Sequence, residues 1–173
     1  MTKIGWGLRA LLYKLRFKVI IMPSYIGKPI YINRGKNISC GKRVRIYPGL
    51  RAEVVNDNSS ISIGNNVSIG QNFHVVSYND DLKISDNVVI AGNVLITNCD
   101  HDYKGVHESV LENHLIYKRT AVGNGCFIGN NSVILAGTIL GERCIVGANS
   151  VVKGVFPSRC VIAGAPAKII KRF

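Results

Sequence analysis

Aromatic residues are scarce in this 173-residue chain, which has one Trp, seven Tyr and five Phe. A globule packed around large rings is therefore not expected, and eighteen glycines suit stacked coils with small interior residues. The cysteines number five, an odd count with no CxxC pair. That excludes a disulfide framework or a zinc knuckle, so all five read as reduced and structural in a cytoplasmic protein. Acidic residues are few, ten against twenty-two Lys and Arg, for a net charge of +12. Anionic partners follow, whether nucleic acid, anionic lipid or a phosphorylated cofactor. No helix-turn-helix, zinc finger or aromatic RNA-binding motif accompanies the charge, and nucleic acid is not expected. Long uncharged apolar runs are also missing near the amino terminus, where Arg9, Lys14, Arg16 and Lys18 interrupt the apolar residues. This argues against a membrane span and a signal peptide, so the chain is expected to stay cytoplasmic. Its length is that of one domain able to bury a core.

What the sequence does have is a six-residue period. Val122, Ile128, Ile134, Leu140, Val146 and Val152 recur without a slip. Four places after each stand Cys126, Ser132, Thr138, Cys144, Ser150 and Phe156, five of them small enough for a narrow interior. A helix repeats at 3.6 residues and a strand at two, so neither explains the run. A β-helix of short strands and tight turns does, because each coil buries its aliphatic only by stacking on neighbours. Asn65, Asn66, Asn72, Asn87, Asn93, Asn124, Asn130, Asn131 and Asn149 fall two or three places after the aliphatic, where sharp corners favour residues tolerant of positive φ. Cys126 and Cys144, one three-hexad coil apart, should stack inside.

The ends and interruptions of the period set the organisation. Ile4, Leu8, Leu11, Leu12, Leu15 and Val19 follow helical spacing, with Lys3, Arg9, Lys14, Arg16 and Lys18 between them and Trp6, Tyr13 and Phe17 adding aromatics. Residues 1–30 are thus expected as a basic amphipathic helix and a linker through Met22-Pro23 and Gly27-Lys28-Pro29. That helix either caps the open end of the solenoid or lies on an anionic membrane face, and both are compatible. Residues 31–173 form the β-helix, from a rough first coil at Cys40-Gly41, Ile46, Leu50 and Ala52, past a polar insertion over 54–60. The rule then fails once: twenty-six residues separate Ile96 from Val122 where six are due. A loop over 97–121 has been inserted at one corner.

Distinct reactive groups on repetitive scaffolds sit on such loops. This one holds His101, His107 and His114, three of the four histidines. Neutral imidazole suits general-base work near neutral pH. His101, five residues after Ile96 where the chain leaves the coil, is the histidine that the scaffold fixes most firmly; His74, His107 and His114 read as solvated side chains. Asp100, Asp102, Glu108 and Glu112 are unranked candidates to orient the imidazole.

The hexads, together with the ending Val161-Ile162-Ala163-Gly164-Ala165-Pro166-Ala167-Lys168-Ile169-Ile170-Lys171, resemble those of hexapeptide-repeat acyltransferases, and within them the lipopolysaccharide and capsule sugar O-acetyltransferases and the maltose, galactoside and xenobiotic acetyltransferase group. The likeness covers about residues 30–172. It implies an all-β, left-handed parallel β-helix, a homotrimer and acetyl-coenzyme A as cofactor. It places the catalytic histidine at His101, although relatives often carry a second histidine where this chain has Cys99. It also implies an oxyanion-binding amide at Asn130, a groove residue at Phe127 where relatives place tryptophan, a pantetheine contact at Ala148, and phosphate contacts at Lys168 and Lys171. Acceptor contacts are expected near Gln71, Asn72 and Tyr103.

The resulting expectation is acetyl transfer from acetyl-coenzyme A to a sugar hydroxyl of a bacterial surface polysaccharide, such as O-antigen or capsule, or of its lipid-linked precursor, by direct transfer. The alternative is N-acetylation of a nucleotide-linked amino sugar. A β-helical carbonic anhydrase would need three histidines converging on a metal, and His74, His101 and His107 match that pattern poorly, so no metal is expected. A pure assembly scaffold would have no use for Asp100-His101-Asp102.

Overall fold

A computed structural model describes residues 3–104, 109 and 112–173. Within each hexad two residues extend as a strand, the first side chain pointing outward and the second inward. Phe127 is exposed while Ile128 is buried, and Ile145 and Val146 repeat the pattern. The small fourth residues, Cys126, Ser132, Thr138, Cys144 and Ser150, are all buried. Cys144 lies 3.6 Å from Cys160, sulfur to sulfur, and both are free thiols.

Parallel pairing between successive coils produces three sheets. The first runs from Val19–Ile20 through Ile38–Cys40, Ser60–Ile63, Asp81–Ile84, Ala121–Val122 and Ile139–Leu140 to Val155–Phe156. The second contains Tyr25–Ile26, Arg45–Ile46, Ser68–Ile69, Val89–Ile90, Phe127–Ile128, Ile145–Val146 and Cys160–Gly164, and the antiparallel strand Ala167–Arg172 closes it. The third contains Tyr31–Ile32, Arg51–Val54, His74–Ser77, Leu95–Thr97, Val133–Ile134 and Val151–Val152. One aliphatic column fills the interior, including Ile26, Ile46, Ile69, Ile90, Ile128, Val146 and Ile162. The architecture is the left-handed parallel β-helix that the resemblance implied.

The corners turn through left-handed backbone at Asn66, Asn72, Asn87, Asn93, Asn131 and Asn149, with φ between 54° and 63°. Stacked amides bond along the solenoid axis: Asn66 Nδ2 donates to Asn87 Oδ1 at 3.0 Å, and Asn72 Nδ2 to Asn93 Oδ1 at 3.0 Å. Asparagine therefore serves twice, once for its backbone tolerance and once as a ladder. Asn65, Asn124 and Asn130 occupy the preceding corner place, without positive φ.

Two expectations for the amino terminus are corrected. The helix, α1, spans Lys3–Tyr13 and ends before Leu15 and Val19. Residues taken for a linker instead form a coil: Val19–Ile20 pairs with Ser39–Cys40, Tyr25–Ile26 with Arg45–Ile46, and Tyr31–Ile32 with Arg51–Ala52. The signal was available, since Ile20, Ile26, Ile32 and Ile38 keep the six-residue spacing. Prolines and basic corner residues obscured it. α1 covers this first coil, with Ala10 fully buried and Trp6 set edge-on to Tyr47 at 5.3 Å. Among the described residues, no helix is long and apolar enough to cross a membrane.

Candidate active site

The inserted segment leaves the third sheet at Leu95–Thr97 and is rooted in buried polar groups. Thr97 is buried, its Oγ1 accepting from the Cys99 N–H and lying 3.1 Å from the Cys99 carbonyl oxygen. Asn98 is fully buried, and its Oδ1 accepts from the Tyr78 N–H at 2.7 Å. The Lys118 N–H returns to the Asn98 carbonyl at 2.9 Å, so entry and exit of the insertion are tied at one residue. Beyond that root the loop is an arm of two antiparallel strands, Cys99–His101 and Leu115–Tyr117, with His101 opposite Leu115. Tyr117 donates to Asp80 at 2.6 Å, bracing the arm against the coil below. Burial, then the bond and charge of Asp80, push the Tyr117 hydroxyl up to about 12, while that same bond holds the Asp80 carboxyl below its usual range.

His101 ends the outgoing strand with an exposed side chain. Among the described residues, no side chain bonds its imidazole. The neighbouring carboxylates are engaged elsewhere: Asp100 faces Lys118 and Lys153 at 3.7 Å each, and Asp102 Oδ1 accepts from the Lys104 N–H at 2.9 Å. Glu112 is exposed, and Glu108 and His107 lie outside the described residues. Tyr103 follows on the arm, 82% exposed. Cys99 is half-buried, and burial pushes its thiol up. His74, by contrast, has a carboxylate partner: its Nε2–H donates to Glu53 Oε1 at 2.7 Å, and Arg51 holds the same oxygen at 2.6 Å. This Arg51–Glu53–His74 cluster on the outer face of the third sheet was not read from sequence; His74 stands opposite Arg51 in the register of successive coils, and Glu53, two residues along the strand, reaches it diagonally.

The other expected site residues gather at a different edge. Gln71 and Asn72, Asn130, and Ala148 follow strands Ser68–Ile69, Phe127–Ile128 and Ile145–Val146, so they share the corner column between the second and third sheets. All four are exposed. The Asn130 carbonyl accepts from the Asn149 N–H at 2.9 Å, whereas its own N–H has no acceptor among the described residues. Phe127, 44% exposed, shares one register position on the second sheet with Ile145, Val161 and Lys171. Lys168 lies on the same final strand, opposite Ala163. This strip carries an open N–H, an exposed aromatic ring and two ammonium groups unpaired by any described carboxylate, a donor set that fits an acyl-coenzyme A.

Along one chain the two groups branch from opposite edges of the third sheet. His101 leaves the third sheet at one edge and Asn130 enters it at the other. Ile134, the partner of Ile96, is four residues along the coil from Asn130, about 13 Å at about 3.3 Å each.

Residues 119–154 match the bacterial transferase hexapeptide (six repeats) family model. No curated protein matches the chain. Among solved structures, AntD, an N-acyltransferase from Bacillus cereus in complex with dTDP and 3-hydroxybutyryl-CoA, is 21% identical with a TM-score of 0.77, covering 95% of this chain and 87% of that one. Galactoside acetyltransferase in complex with coenzyme A is 24% identical with a TM-score of 0.58, covering 95% and 69%. The hexapeptide-repeat containing acetyltransferase VCA0836 from Vibrio cholerae, complexed with acetyl coenzyme A, is 22% identical with a TM-score of 0.64, covering 98% and 82%. By its repeat and its fold, this chain is a hexapeptide-repeat β-helix protein similar to these acyltransferases.

Proposed function

We propose that the chain is an acetyl-coenzyme A-dependent acetyltransferase acting on a sugar, with His101 as general base and the Asn130 N–H as oxyanion donor. The cosubstrate supplies an acetyl thioester. Neutral His101 accepts the proton of the acceptor hydroxyl as its oxygen bonds to the acetyl carbon. The Asn130 N–H donates to the carbonyl oxygen as negative charge develops there. When the carbon–sulfur bond breaks, His101 returns the proton to the departing thiolate, so no acyl-enzyme is needed. The observation that carries this reading is the exposed imidazole of His101, bonded by no described side chain, at the end of a strand rooted in buried Thr97 and Asn98. Asn130 lies at the far edge of the same sheet, so the active site is completed between subunits. A homotrimer does this, with the arm of one chain meeting the Asn130 corner of the next.

The acceptor is a sugar of a bacterial surface polysaccharide, lipopolysaccharide or capsule, or its lipid-linked precursor, met at the cytoplasmic face of the inner membrane. Gln71, Asn72 and Tyr103 contact it, while Phe127, Ala148, Lys168 and Lys171 hold coenzyme A. The likeness to AntD supports a second reading, transfer to the amino group of a nucleotide-linked sugar, and His101 plays the same part there. Thiol release from acetyl-coenzyme A, measured with lipid-linked, polymeric and nucleotide-linked acceptors, separates the two. His101→Ala is expected to lose about 10²- to 10⁴-fold in rate while retaining cofactor binding. Full acceptor-dependent release by that variant removes His101 as the base, and failure of acetyl-coenzyme A to bind removes the acetyltransferase reading.

A further inference from the structure

α1 is apolar on two opposite faces. Trp6, Ala10 and Tyr13 turn toward the coils, Ala10 being fully buried and Tyr13 tilted on Phe17 at 5.3 Å. At about 100° per residue, Ile4, Leu8, Leu11 and Leu12 occupy the opposite side. Ile4 is 75% exposed, Leu8 60% and Leu12 68%, and Leu15 just beyond the helix is 77% exposed. A contiguous exposed apolar stripe of this kind marks an interaction surface.

The charge of the chain identifies what covers it. Residues 1–52 contain twelve Lys and Arg and no Asp or Glu, whereas residues 53–173 contain ten of each. The whole net charge of +12 thus belongs to α1 and the first coils, one end of the solenoid. Tyr25–Ile26 and Tyr31–Ile32 are the terminal strands of their sheets there. Lys14, Arg16 and Lys18 are exposed directly after the stripe. Lys36 Nζ donates to the Leu15 carbonyl at 2.8 Å, which sets an ammonium beside the exposed leucine.

We propose that this end of the solenoid docks on an anionic lipid bilayer. Ile4, Leu8, Leu11, Leu12 and Leu15 enter the boundary between head groups and acyl chains, and Lys14, Arg16, Lys18 and Lys36 meet the lipid phosphates. A second copy stacked end to end is a poor occupant, because it would set two strongly cationic ends face to face, with α1 and the coil after it carrying no Asp or Glu through residue 52. Docking does not depend on the transfer reading, but it has a consequence for it. The strand Leu95–Thr97 that leads to His101 is the fourth of the third sheet counted from Tyr31–Ile32. Three spacings of about 4.8 Å place it about 14 Å from that end, within reach of a sugar carried on a lipid phosphate.

The test is co-sedimentation of the full chain with phosphatidylglycerol-containing and pure phosphatidylcholine vesicles, without acetyl-coenzyme A, at low and high salt. The wild type is expected to bind the anionic vesicles preferentially and to be released by salt. Leu8→Glu with Leu12→Glu should weaken binding at least about tenfold, since both side chains lose their apolar burial. Lys14→Glu with Lys18→Glu should also weaken it about tenfold or more. Both pairs of changes are at exposed positions, and circular dichroism and light scattering are expected to show an unchanged fold and subunit number. No binding of wild type to anionic vesicles overturns the proposal. So does unchanged binding by the leucine variant. A changed subunit number in that variant with vesicle binding intact assigns the stripe to a second copy and also overturns it.

Discussion

The stacking of the coils makes Gly129 one of the most demanding positions in the chain. A Cβ built there would stand 2.5 Å from the Ala148 nitrogen and 2.8 Å from both the Gly147 carbonyl carbon and the Val146 oxygen. All three are backbone atoms of the next coil and cannot rotate away. Comfortable non-bonded separation is about 3.5 Å, so Gly129→Ala requires the coils to part locally by about 1 Å. Gly129 has no positive φ, so its backbone conformation suits alanine and the penalty is steric alone. Overpacking costs about 1–3 kcal/mol, and a backbone obstacle places this substitution near about 3 kcal/mol. With a urea m-value of about 2 kcal/mol/M, the unfolding midpoint falls by about 1.5 M. Gly5→Ala is the internal comparison: it lies in α1, meets nothing within 4 Å, and should gain about 0.5–1 kcal/mol through helix propensity. Both belong in urea titrations at one protein concentration, since assembly shifts apparent stability. A Gly129→Ala midpoint within about 0.2 M of wild type would refute the stacking argument.

Tyr117→Phe should raise the Asp80 carboxyl toward its ordinary value, read by carboxyl NMR titration; an unmoved Asp80 would mean that the bond does not form in solution. In the wild type the phenol is raised from about 10 to about 12, so its contribution to stability is full below about pH 10 and is lost as pH rises through about 12. Asp80 works in the opposite direction, its contribution being present above the unfolded carboxyl range and lost as pH falls through its depressed folded value. Thiol labelling of native protein near pH 8 should modify Cys99 first, because Cys40 is fully buried with its thiol pushed up to about 12, and Cys126, Cys144 and Cys160 line the interior. Mass spectrometry showing two or more sites modified at the rate of Cys99 would contradict that packing.

Much of the candidate site was legible because its determinants are local. Val122 to Val152 keep one phase, so the break after Ile96 locates the arm and the position of His101 along the chain. The corner column of Gln71, Asn72, Asn130 and Ala148 follows from the same phase. The hexads at Ile20, Ile26 and Ile32 were equally local and were hidden only by proline and basic corners.

The sequence by itself determined the period, the identity of inward and outward positions, the asparagine corners and the place of the insertion, since each depends on residues within a few positions of one another. Only the tertiary structure decided which coils meet. It joined Glu53 to His74, tied Asp100 to Lys118 and Lys153, and rooted the arm of His101 and the corner of Asn130 at opposite edges of the third sheet. It also decided which apolar face of α1 was spent on the first coil and which was left outside. Coil lengths vary, with twenty residues between Ile20 and Cys40, twenty-three between Cys40 and Ile63, and eighteen between Val122 and Leu140. Vertical neighbours therefore depend on the accumulated register of the whole stack, which no short stretch of sequence carries.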